Sequence, residues 1–136
     1  MSATRRKYLA FMLALTSVGF SLRAGTVDLY VIANAPVQLN PAELREIFLG
    51  ERQFANGQRL VVIDNLSAMP RFVAAACGID VSRYRTVWAK KGFREGLNPP
   101  LQLAGDRDVA ALVLSTPGAI GYVTVVPRGM SVIATY

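Results

Sequence analysis

A chain of 136 residues, 52% hydrophobic, is long enough for one modest domain with its own core and too short for two. Its 15 Lys+Arg against 9 Asp+Glu give a formal net charge of +6, which by itself would suggest nucleic acid or an anionic surface as partner. Histidine is absent and Cys77 is the single cysteine, which excludes Ser-His-Asp and Cys-His mechanisms, imidazole-dependent zinc sites and an intramolecular disulfide.

The first expected element is an export signal over residues 1–24. Arg5, Arg6 and Lys7 form a basic start, Tyr8 to Leu22 is almost uninterruptedly apolar, and Ala24 offers a small residue before a cut at Gly25. Thr4 to Leu9 resembles a twin-arginine signal, an ordinary secretory signal being the alternative, and either places the mature protein in the periplasm or outside the cell. The apolar run is shorter than the ~20 residues of a spanning helix, so no stable membrane anchor is expected after cleavage. Residues 1–24 hold four of the basic residues and no acidic one, leaving residues 25–136 with 11 basic against 9 acidic, a net of +2. Nucleic acid is thereby dropped as an expected partner.

Residues 25–136 read as one domain. Thr26 to Ala33 is β-branched and aromatic, a mostly buried strand. Asn40 then caps a helix that has Pro41 at its first position and Glu43 where a capping box needs it. That helix carries Leu44, Ile47 and Phe48 on one face and stops at Gly50. Asn56-Gly57 marks a turn before a second strand, Arg59 to Asp64. Ser67 is expected to cap a helix through Phe72 to Cys77, whose thiol is expected to be buried and inert, and Gly78 to end it. Asp80 or Ser82 opens the next helix, with Tyr84, Val87 and Trp88 at helical spacing. Lys90 to Gln102 reads as a basic loop rich in Gly and Pro. Asp106 is expected to cap a helix through Leu114. In the octet Thr116 to Val123, Pro117 fixes φ and Gly118 closes a tight turn before a buried strand from Ala119 to Val126. Ser131 to Tyr136 adds a short fourth strand. Strands alternating with helices predict an α/β fold with a mixed, partly parallel sheet flanked by helices.

Three ordered pieces carry a resemblance. They are Leu39 to Glu51 with the strand Leu60 to Asp64, the Tyr84…Trp88 helix, and the octet Thr116 to Val123. Together they resemble the second lobe of the periplasmic phosphate-binding proteins of ABC importers, in the type II periplasmic binding protein superfamily, across about residues 30–126. The chain is more similar still to small stand-alone envelope proteins of this kind, which begin with a signal, lack the first lobe and keep the Trp helix and a Pro-Pro loop. The resemblance implies one lobe of a type II periplasmic binding protein that acts by binding a small solute or inorganic anion in the cell envelope, with no cofactor.

In full-length relatives the anion is held between two lobes, partly by a turn that offers an arginine and then Ser-Gly-Thr at a helix N-terminus. The matching stretch here is Asp64-Asn65-Leu66-Ser67-Ala68-Met69-Pro70-Arg71. It makes Asp64, Asn65, Ser67 and Arg71 the candidate ligand-binding residues. Asp64 stands where the arginine would be, and a carboxylate about 4 Å from a unit anion costs roughly 4 kcal/mol at an effective dielectric near 20. Pro70 offers no N–H, and Met69 crowds the approach that glycine would allow, while Ser67 and Arg71 partly compensate. The plainer readings are an Asx-type turn at Asp64, an N-cap at Ser67 and a solvated Arg71. Lys90, Lys91 and Arg94 make either a local anion or partner patch or a solvated run, and Tyr84, Trp88, Phe93 and Tyr122 read as core or cleft aromatics.

A lone lobe also exposes the face its partner lobe would cover, so the alternative function is an envelope protein–protein interaction module that has lost phosphate binding. Its partner would be an envelope protein or a second copy of the chain. No paired-carboxylate motif, P-loop or metal-ligand spacing is present, so neither an enzyme nor a metal site is expected.

Overall fold

The computed structural model describes residues 27–136, and the expected export signal over residues 1–24 lies outside them. The described chain forms β1 (Tyr30–Ala33), α1 (Pro41–Phe48), β2 (Phe54–Ala55), β3 (Gln58–Arg59), β4 (Val61–Asn65), α2 (Met69–Phe72) running into a π-helical turn (Val73–Cys77), α3 (Val81–Glu95), β5 (Leu101–Leu103), α4 (Asp106–Ser115), β6 (Ala119–Val123) and β7 (Ser131–Thr135). Five strands make one sheet in the order β5-β4-β6-β1-β7, and β2 with β3 is a separate hairpin. Strand β4 runs parallel to both β5 and β6, whereas β1 is antiparallel to β6 and to β7. The fold is therefore α/β with a mixed, partly parallel sheet.

Helices cover both faces of the sheet, because strand residues alternate sides. One face buries Val31, Ile120 and Tyr122 against Leu44, Ile47 and Phe48 of α1, Phe72 of α2 and Tyr84 and Trp88 of α3. The other buries Ile32, Ile63, Ala119 and Val123 against Val109 and Val113 of α4. The described residues thus close their own sheet and both cores. The chain leaves β4 over the first face, reaches β5, and returns over the second face to β6. The C-terminal ends of three parallel strands consequently share one edge, where open α/β sheets place ligands.

Local chemistry explains the boundaries. Asn40 accepts from Glu43 N at 2.8 Å while Glu43 accepts from Asn40 N at 2.9 Å, a complete capping box. Asn56 and Gly57 take φ of 50° and 74°, the left-handed pair that a two-residue hairpin between β2 and β3 demands. Gly118 has φ +76°, and a Cβ there would lie 2.2 Å from the Arg59 carbonyl oxygen, so the turn into β6 admits glycine alone.

Several expectations are corrected. The segment from Lys90 is no loop: α3 continues to Glu95, the Gly/Pro loop is confined to residues 96–100, and Leu101–Leu103 is an edge strand. This strand is only three residues long and flanked by Pro100 and Gly105, too short a run to display a strand period. The strand expected from Arg59 to Asp64 is divided, Arg59 pairing with Phe54 in the hairpin and β4 beginning at Val61. Strand β6 ends at Val123, short of Val126. Ser67 is not a cap; Ala68 occupies that position with no side-chain hydrogen bond. Asp106 is likewise the first residue of α4, and Gly105 is the cap.

Candidate functional site

At the C-terminal edge of the parallel strands a polar network joins β4, α4 and the segment after β6. Asn65, the last residue of β4, is fully buried. Its Nδ2 donates to Asp106 Oδ1 at 2.7 Å and to the Tyr122 carbonyl at 3.1 Å. Its Oδ1 accepts from Ser67 Oγ at 2.6 Å and Ser67 N at 3.2 Å. Both ends of the amide are thus satisfied, and the Asx-type turn expected at Asp64 is made one residue later, by Asn65.

Asp106 completes the network. Its Oδ2 accepts from Thr124 Oγ1 at 2.6 Å and from the backbone N–H groups of Thr124 and Val125, both at 3.0 Å. The carboxylate stands in the first turn of a ten-residue helix, where the helix dipole also favours negative charge. Burial would raise its pKa, but the Thr124 side chain and backbone, Asn65 and the Val125 N–H outweigh that and hold the carboxyl below its usual 3.8. Converging N–H and O–H donors beside a helix N-terminus are what an oxyanion site requires. Here the anion is supplied by the chain itself. Leu66 and Val125, 43% and 70% exposed, flank this edge.

Asp64 is elsewhere. Its carboxylate lies inside the core face beneath α3 and is completely buried. Tyr122 Oη donates to its Oδ1 at 3.0 Å, and Tyr84 Oη lies 3.1 and 3.0 Å from Oδ1 and Oδ2. Burial pushes its pKa up to about 6, partly offset by these two hydroxyl donors. Both tyrosines are held high in turn, by burial and by the neighbouring carboxylate. The Tyr122 ring stacks on Phe72 with centroids 3.7 Å apart, and Phe48 meets both rings edge-on. Trp88 donates Nε1 to the Phe48 carbonyl at 3.0 Å. Tyr84, Trp88 and Tyr122 are accordingly core residues, whereas Phe93 is 92% exposed.

Of the four candidate residues on the turn, the fold brings together Asn65 and Ser67. It turns Asp64 into the core and leaves Arg71 exposed on α2, its guanidinium donating to the Val27 carbonyl. Thr124 carries no local mark in the sequence, and Asp106 carries only that of a helix start: their shared role exists only once β4 and β6 are neighbours.

A separate cleft of about 320 Å³ opens at the N-terminal ends of β4 and β5, between Gly50, Arg52, Arg59, Trp88, Asn98 and Pro100. Arg52 is already paired with Glu43 at 3.5 Å and Glu46 at 2.9 Å, and Arg59 lies 5.9 Å from the centre of the Phe54 ring. Among the described residues no group of three or more Asp, Glu, His or Cys is placed to hold a metal, and no helix is long and apolar enough to cross a membrane. No protein-family model matches the chain, and no curated protein matches it.

Proposed function

We propose that the chain is an exported, single-lobe, phosphate-binding-protein-like domain that works by docking to another envelope protein and holds no free oxyanion at its strand ends. The observation that carries this reading is the occupancy of the strand-end donors by Asp106. An external phosphate at that edge would have to displace a carboxylate from four hydrogen bonds or sit beside it. The second arrangement costs roughly 4 kcal/mol per unit charge at about 4 Å. With the anion role filled from within, the exposed Leu66 and Val125 are what this edge offers a partner.

The experiment is site-specific photo-crosslinking in the envelope. A photoreactive residue at Val125 should yield one discrete protein adduct, and the same residue at Leu114, 71% exposed on α4, should yield none. Equal labelling from both positions would contradict the reading. Solute binding, the function implied by the resemblance, is the second reading, and the cleft beside Arg59 and Asn98 is the observation in its favour. Saturable binding of a small anion that is abolished by Arg59→Ala would establish it.

A further inference from the structure

Charge is distributed very unevenly over the domain. Helix α3 carries Arg83, Arg85, Lys90, Lys91 and Arg94 against Glu95, five of the eleven basic residues of segment 25–136 and one of its nine acidic residues. The helix therefore holds a net of +4, and the rest of the segment a net of −2. The modest overall charge conceals this. Only Lys91 is paired, with Glu95 at 3.6 Å, and among the described residues no carboxylate lies within ion-pair distance of the other four cations.

Helical geometry gathers these charges. Tyr84 and Trp88, four residues apart and both buried, fix the face that α3 turns to the core. Arg83, Lys90 and Arg94 are spaced i, i+7 and i+11, which at 100° per residue puts them within about 40° of one another on the outer side. All three are exposed. Phe93 falls on the same outer side next to Lys90 and is 92% exposed, the most exposed large apolar side chain among the described residues. An unburied aromatic ring amid unpaired cations, on a convex helix about 22 Å long, is costly in water and has no packing role in the fold.

We propose that the outer face of α3 rests on an anionic phospholipid surface, with Arg83, Lys90 and Arg94 on headgroup phosphates and the Phe93 ring in the interfacial layer. Basic side chains gain from the surface potential of an anionic leaflet, and an exposed Phe gains by leaving water. A fluid headgroup layer also conforms to a convex ridge, whereas a folded partner would need a matching groove. None of these α3 residues takes part in the strand-end network, so the lipid-facing ridge is independent of the docking edge at Leu66 and Val125.

The test is flotation of the chain from Gly25 onward with vesicles of phosphatidylcholine alone and of phosphatidylcholine mixed equally with phosphatidylglycerol. Binding should be at least about tenfold stronger to the anionic vesicles and should fall steeply as salt screens the headgroups. The double variant Lys90→Glu, Arg94→Glu should lose at least about tenfold of that binding. Phe93→Ser should lose several-fold, and the melting temperatures should match wild type because these side chains are exposed. Equal binding to both vesicle types, or anionic binding that survives both variants, would overturn the proposal. Capture by polyglutamate with no vesicle binding would assign the patch to an acidic protein and overturn it equally.

Discussion

Asn65 and Asp106 meet at 2.7 Å although 41 positions separate them, the amide donating to the carboxylate across the ends of β4 and α4. Through this contact the last residue of one strand holds the first residue of the helix that covers the second face of the sheet. Thr124 and Val125, just past β6, close the ring from the third side. The strand ends are thus pinned by a carboxylate that belongs to the chain.

Replacing that carboxylate should cost stability. Asp106→Ser removes an ionised acceptor from four donors, and a hydrogen bond to a charged group contributes about 1.5–3 kcal/mol, so a loss of about 2–3 kcal/mol in urea unfolding is expected. Because the folded pKa lies below 3.8, this contribution is present above the ordinary carboxylate range and is lost as pH falls through the folded value. The gap between wild type and variant should therefore be full at neutral pH and close only in strong acid.

Asp64 should behave in the opposite sense. Its folded pKa is raised from 3.8 to about 6, so the stability it contributes is complete below about pH 4 and is lost as pH rises through about 6. A rise of that size is worth about 3 kcal/mol between the two ends of the window. Asp64→Asn keeps a partner for Tyr84 and Tyr122 without the charge. Unfolding curves should show the variant gaining on wild type between about pH 4 and pH 7, and a constant difference across that range would refute the assignment.

At the turn into β6, Gly118→Ala should destabilise by about 3 kcal/mol or more, since φ is +76° and the added methyl would meet the Arg59 carbonyl. Gly129→Ala also has a positive φ, but no atom lies within 4 Å of its added Cβ, so a smaller loss is expected. Comparable losses at the two sites would show that backbone strain alone, without the close approach, sets the cost.

Cys77 is 1% exposed, and burial, only partly offset by Arg45, pushes its thiol up to about 11. A disulfide-exchange reagent should leave it unlabelled in the native protein and label it fully in denaturant. Labelling as fast as a free thiol would mean that the π-helical turn opens readily.

Much of the fold is legible in the sequence because its signals are local. The capping box at Asn40 and Glu43, the Asn56-Gly57 turn and the Pro117-Gly118 stop each state their geometry within a few residues. The strand Leu101–Leu103 is not legible, since three residues show no period and its pairing partner, β4, lies far away in sequence. Lys90 to Glu95 reads as loop because Gly92 and clustered charge weaken the helical signal, whereas Trp88 and Lys91 packing near Gly50 carries the helix onward. The candidate site is half legible. Asn65 and Ser67 stand together on one local turn, but Asp106 and Thr124 join them only through the order of the strands. Asp64 reads as a repulsive ligand-site residue because sequence position cannot tell which way a side chain points at the end of β4, where Ile63, Asp64 and Asn65 are all buried.

Whether Asp106 fills the anion position from within is decided by a thermal titration of wild type beside Asp106→Ser. Both would be heated with increasing phosphate or sulfate, against chloride at equal ionic strength. Neither oxyanion should move the wild-type melting temperature beyond the chloride control, while the destabilised variant should regain stability as the anion enters the vacated donors. A saturable rise for wild type at micromolar phosphate, with no rescue of the variant, would contradict the internal-anion assignment.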